Sequence, residues 1–153
     1  MAFHYKTQGI ILKQRDAGEA NRVVTVFTKE YGKLTLWAVS VRKITSKLRG
    51  GLELFCLSQL EFVQGRHKKV LVEAVCVEQH ASLIGDLARL QAASHMVRLI
   101  DQHLPEEEKS HEAWNLLCSS LASLENGSPP RAAYQSFSPR FMALAGYGNK
   151  PIA

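Results

Sequence analysis

Three stretches near the start of the chain, residues 3–14, 22–28 and 33–41, alternate apolar and polar side chains in part, as at Lys33-Leu34-Thr35-Leu36, and are separated by turns carrying Gly18 and Gly32. A period of two over such short segments cannot lay an apolar stripe along a helix, so they read as half-buried β-strands. In the first, Ile10 and Leu12 alternate with Ile11 and Lys13, and the polar run Arg15 to Asn21 turns the chain back. Lys29-Glu30-Tyr31-Gly32 is a short hairpin connection in which Gly32 can take a positive φ. Residues 52–63 and 70–78 supply two more strands across the turn Gln64-Gly-Arg-His-Lys-Lys69, giving five strands in residues 1–80. Five strands of this length curl into a small barrel, of either OB type or SH3-like type, and closure removes most exposed sheet edges.

From Ser82 the apolar period becomes helical. Leu83, Leu87, Leu90, Val97, Ile100 and Leu104 fall on one stripe that Pro105 ends. A second helix starts at a Ser110 cap, repeats Trp114, Leu117, Leu121 and Leu124 on one face, and stops at Gly127. A third runs from Ser128-Pro-Pro130 through Phe137, Phe141 and Leu144 to Gly146, with a break or kink expected at Pro139. The fold class is therefore α+β, a five-stranded barrel domain at residues 1–80 followed by a small α-helical domain at residues 81–153. Glu106-Glu107-Glu108 reads as a solvated connection between helices.

Charge separates the two halves. Residues 1–80 hold 13 Lys and Arg against 7 Asp and Glu, a balance of +6, whereas residues 81–153 hold 6 against 7, a balance of −1. An anionic partner for the barrel alone follows from that asymmetry. The loop after the third strand concentrates it: Arg42, Lys43, Lys47 and Arg49 occur within eight residues without an acid. A basic run on its own also describes a solvated loop, but this one lies between two barrel strands and is joined by a second basic turn containing Arg66, Lys68 and Lys69. Phosphates fit such density, because cations that neutralise them release condensed counterions. Arg15, Arg22 and Lys33 extend the positive track, and Tyr31 and Trp37 are the aromatic candidates for stacking bases, while Phe27, Phe55 and Phe62 belong to the core.

Other chemistry finds little support. Cys56, Cys76 and Cys118 form no Cys-x-x-Cys pair, and Cys56 and Cys76 fall on predicted strands, where reduced thiols acting as small apolar residues are expected. The histidines lack metal-ligand spacing, and neither a Walker loop nor a dinucleotide fingerprint is present. No catalytic residue, metal or cofactor is expected, and the chain does not read as an enzyme. No apolar run reaches the ~18 residues of a membrane span, and the start of the chain lacks a signal peptide's apolar segment, so a cytoplasmic place is expected. Two alternatives stand beside DNA binding: a protein-interaction adaptor whose barrel does not bind DNA, and an OB barrel that prefers RNA.

The segments Gly9 to Lys13, Gly18 to Arg22, Val24 to Thr28, Gly32 to Leu34 and Ser46 to Gly50 stand in the order and spacing of the N-terminal barrel of the RecO family of bacterial recombination mediators, which the first half resembles. Phe137 to Tyr147 is similar to that family's Phe-x-x-x-Leu-Leu-x-x-Gly-Tyr element, altered by Pro139-Arg140. The resemblance implies an OB-type barrel and a helical domain that is truncated relative to the family, whose members commonly continue for many tens of residues and often carry a Cys-x-x-Cys zinc motif. It implies binding of single-stranded and duplex DNA, annealing of complementary strands, RecA loading with RecR and single-strand binding protein, and a nucleoid-associated location in the cytoplasm. It also implies a docking site for the acidic, apolar C-terminal tail of single-strand binding protein, for which Arg131, Phe137, Arg140 and Phe141 are the candidates.

Overall fold

The computed structural model describes residues 3–40 and 48–146, except for the side chain of Arg49. Arg42, Lys43 and Lys47 of the basic loop lie outside the described residues, as does Tyr147. The chain divides into two compact units, Met1–Gln79 with Glu106–Lys109, and His80–Pro105 with Ser110–Ala153.

In the first unit, strands β1 (His4–Ala17), β2 (Asn21–Thr28), β3 (Gly32–Ala38), β4 (Leu57–Gln64) and β5 (Lys69–Glu78) close into a barrel in the order β1-β2-β3-β5-β4. Neighbours pair antiparallel except β3 and β5, which meet in parallel at Leu36↔Lys69 and Trp37↔Val70. That order, with its parallel closure, is an OB-type barrel. Alternate side chains fill it: Leu34, Leu36 and Ala38 of β3 join Ile11, Val24, Val26, Leu60, Phe62 and Leu71 in one buried cluster, each large side chain stabilising the fold by roughly 1.5–3 kcal/mol. The β2–β3 hairpin turns at Gly32, whose φ of +73° a residue with a Cβ rarely adopts.

Strict alternation fails in β1. The register to β2 shifts between Ile11 and Lys13, so Leu12 is an extra, bulged residue, and Ile10, Ile11 and Leu12 are all buried. β4 also begins later than its apolar pattern predicts. Residues 49–51 form a 3-10 turn, Phe55 adopts a φ of +64°, and its amide donates to the Ile11 carbonyl at 3.1 Å. Leu52 and Phe55 are buried but not in a strand. A Cβ on Gly51 would meet the Ala74 backbone at 2.5 Å, so only glycine lets this turn lie against β5. Cys56 and Cys76, expected as separate thiols, are joined by a disulfide. Their separation of 20 residues hid a proximity that the β4–β5 register creates.

In the second unit, the predicted long stripe is two helices, α1 (Ala81–Ile84) and α2 (Leu87–His103). Asp86 divides them because its carboxylate accepts the Arg89 amide at 3.0 Å as an N-cap. Leu87, placed on the apolar stripe by its spacing, is consequently a first-turn residue and 71% exposed. The Glu125 carboxylate caps α1, accepting the amides of Ser82 and Leu83 at 3.0 and 2.8 Å. Burial pushes that carboxyl up, and the two amides, together with the Ser82 side chain and His80, more than offset it, holding it below the ordinary 4.5. Helix α3 (His111–Glu125) starts at the Ser110 cap, whose hydroxyl accepts the Ala113 amide at 3.2 Å. Helix α4 (Pro130–Leu144) runs unbroken through Pro139. The carbonyl that proline leaves without an amide belongs to Gln135, an exposed residue, where water can meet it. Among the described residues no helix is long and apolar enough to cross a membrane.

Candidate nucleic-acid interface

Because Leu34, Leu36 and Ala38 point inward, β3 turns Lys33, Thr35 and Trp37 to its other face, where all three are partly exposed. The parallel contact of β3 with the start of β5 carries the β4–β5 turn to the same place. Lys69 stands opposite Leu36, and the ammonium of Lys68 lies 4.0 Å above the Trp37 ring centroid, within cation–π range. The turn itself is closed by Gly65, whose amide donates to the Lys68 carbonyl at 2.8 Å. Trp37, Lys68 and Lys69, predicted from separate segments, are thus brought together, with Lys33 four residues along the same face of β3 and Arg66 exposed in the adjoining turn.

Other candidates stand apart. Arg22 pairs in register with Ala38, at the opposite end of β3 from Lys33. Its guanidinium is engaged, donating to Asp16 at 3.2 Å and to Gln14 at 3.5 Å. Arg15 is exposed on the β1 side of that hairpin. Tyr31 is not an open platform: it packs edge-on against Tyr5 and Phe62, with centroids 5.7 and 5.8 Å away, in a small aromatic cluster on the core. It also lies six residues from Trp37, about 20 Å at strand rise. Phe27, Phe55 and Phe62 are buried.

Glu106-Glu107-Glu108 is exposed between α2 and α3, as a solvated connection is expected to be, but it does more than connect them. It runs beside β3 as a parallel bridge, Lys33↔Glu106, with the Glu107 amide donating to the Lys33 carbonyl at 2.9 Å. The Thr35 hydroxyl donates to Glu106 Oε1 at 2.6 Å, and Lys69 Nζ pairs with Glu107 Oε1 at 2.8 Å. Thr35, Glu106 and Glu107 escaped the sequence reading. Thr35 shares the two-residue period of Lys33 and Trp37, a signal that was present, but nothing local shows the acidic run returning to a strand some seventy positions upstream.

On the barrel's β1–β4 face, Glu61 accepts from His4 at 2.7 Å and lies 3.6 Å from Lys6. The His4 hydrogen bond foremost holds its carboxyl below the ordinary 4.5. Among the described residues no group of His, Cys, Asp or Glu is placed to hold a metal ion.

In the helical unit, Phe137 and Phe141 are buried and stacked in parallel, with centroids 5.6 Å apart. Their rings are core and cannot also face a partner. Arg131 and Arg140 are exposed, but nine residues along a helix put them about 180° apart and ~13.5 Å along the axis. Only Arg140 borders a groove between α3 and α4, of about 630 Å³, walled by Leu116, Ala143 and Leu144 with Asn115 and Ser119, and carrying Glu112 on its rim.

Residues 1–80 match the family model described as "Recombination protein O N terminal", and residues 84–149 match "Recombination protein O C terminal". Three similar relatives are each named "DNA repair protein RecO". That of Dehalococcoides mccartyi is 32% identical over 94% of this chain and 56% of its own length. That of Gloeothece citriformis is 36% identical over 88% and 47%, and that of Heliobacterium modesticaldum 40% over 67% and 37%. The chain spans about half the length of the curated relatives it matches.

Proposed function

Because the chain belongs to the RecO family, we propose that it is a non-enzymatic mediator of DNA repair and recombination whose OB barrel holds single-stranded and duplex DNA by the phosphate backbone. The observation that carries this is the outward stripe of β3, where Lys33, Thr35 and Trp37 meet Lys68 and Lys69. Ammonium groups and a hydroxyl serve phosphate oxygens, and the indole offers a base a stacking face. Arg15, Arg66 and the loop cations Arg42, Lys43, Lys47 and Arg49 add charge from the same half of the chain. Arg22, already engaged by Asp16, contributes after exchanging that partner. Cations that screen two complementary strands at once promote their annealing.

The helical domain docks the C-terminal tail of single-strand binding protein in the α3–α4 groove. Arg140 beside Leu116 and Leu144 fits an apolar tail ending in carboxylates. RecR is the second partner, and with it the protein assists RecA loading in the cytoplasm, on the nucleoid.

Salt titration of oligothymidylate binding tests the barrel reading. With about five phosphate contacts, log affinity falls against log salt with a slope near −3.5. A flat response would remove the mechanism, and tighter binding of a matched RNA oligomer would reassign the ligand. An annealing assay with and without single-strand binding protein then tests the two halves together.

A further inference from the structure

The acidic segment on β3 is held by more than charge. Gly32 admits it, since a Cβ there would lie 2.4–2.7 Å from the backbone of Glu108. Glu107 takes a φ of +62°, in the left-handed region that non-glycine residues seldom occupy. Two carboxylates then sit where β3 and the start of β5 offer donors, Glu106 on the Thr35 hydroxyl and Glu107 on the Lys69 ammonium. Lys69 keeps only 22% of its side chain exposed, whereas Glu107 keeps 61%. The cation is therefore the fixed partner and the acid the replaceable one. Hydroxyl and ammonium donors of this kind bind phosphate oxygens by the same charge-assisted hydrogen bonds they give to carboxylates.

We propose that Thr35 and Lys69 form a nucleic-acid phosphate site which the chain fills with its own Glu106 and Glu107, so that the acidic segment is an internal competitor a DNA backbone must displace. The proposal rests on the DNA-binding reading above and adds to it a residue, Thr35, and a means of restraint. A bare protein keeps Lys69 neutralised at this edge, and only a dense polyanion, presenting several phosphates to Lys33, Lys68 and Lys69 together, outcompetes a tethered pair of carboxylates.

The test compares Glu107→Gln with Glu108→Gln in the full chain, by anisotropy of a fluorescein-labelled oligothymidylate across a salt series. Both remove one negative charge, but only Glu107 is paired to Lys69. Glu107→Gln should bind about two- to five-fold tighter, the scale of one partly exposed ion pair, and its salt slope should steepen by about 0.7 as one more cation reaches phosphate. Glu108→Gln should change affinity by less. In the unsubstituted protein, hydrogen exchange at the Glu107 amide, protected by the Lys33 carbonyl, should accelerate when the oligomer binds. Equal effects of the two substitutions, or protection that holds or rises on binding, overturn the competitor while leaving DNA binding intact. A flat salt response of the unsubstituted protein instead defeats the DNA reading and this inference with it.

Discussion

Trp37 carries a consequence that one substitution exposes. With Lys68 over one face, the indole is the partly exposed aromatic of the β3 stripe, and Trp37→Ala should weaken single-strand binding by about 1–3 kcal/mol if one base stacks there. Trp37→Phe should recover most of that loss, and an affinity unmoved by Trp37→Ala would remove stacking from the mechanism. Glu61 makes a separate prediction in pH. Its carboxyl, held below 4.5 chiefly by the His4 hydrogen bond, has a folded value below its unfolded one. It therefore contributes stability that is full above the unfolded value and is lost as pH falls through the folded one. Denaturant titrations should show Glu61→Gln less stable than the parent above about pH 5, with the gap narrowing under acid; a gap independent of pH would contradict the assignment. At this scale sequence and structure agree where the cause is local. The positive φ at Gly32 and the Ser110 cap follow from neighbours a few positions away, whereas the exposure of Tyr31 is decided by rings from other segments.

At the scale of elements, the barrel strands were most legible where a two-residue period survives, in β3 and β4, and the outward parity of Lys33 and Trp37 came with it. What the period could not reveal were the places where a long-range hydrogen bond redirects the backbone. Phe55 donates to Ile11, and the strand expected from residue 52 begins at Leu57 instead. Gly51 marks that detour, so Gly51→Ala should force its new methyl into the Ala74 backbone and cost about 1–3 kcal/mol, seen as a lower melting temperature. A variant melting like the parent would mean that the turn can move off β5. In the helices, the apolar stripe was correct in period and wrong in continuity, because a cap at Asp86 outweighs the spacing of Leu83 and Leu87. The short α1 depends on a residue far along the chain, and Glu125→Ala, which removes the acceptor for its first amides, should cost about 1 kcal/mol.

For the molecule as a whole, the proposed DNA binding and tail docking fall on two different units. Trp37→Ala with Lys68→Glu should abolish oligothymidylate binding while sparing capture of an acidic, apolar tail peptide, and Arg140→Glu should do the reverse; loss of both ligands in either variant would refute the division. The charge asymmetry was readable from composition, yet the pairing of Lys69 and Thr35 with acids was not, because those acids come from beyond α2. The barrel unit is discontinuous in the chain: it borrows Glu106–Lys109 after α2 has been completed in the other unit. A graft ending at Gln79 would arrive without the acidic partners of Thr35 and Lys69, whereas one ending after Lys109 would keep them and carry α2 along as one cassette.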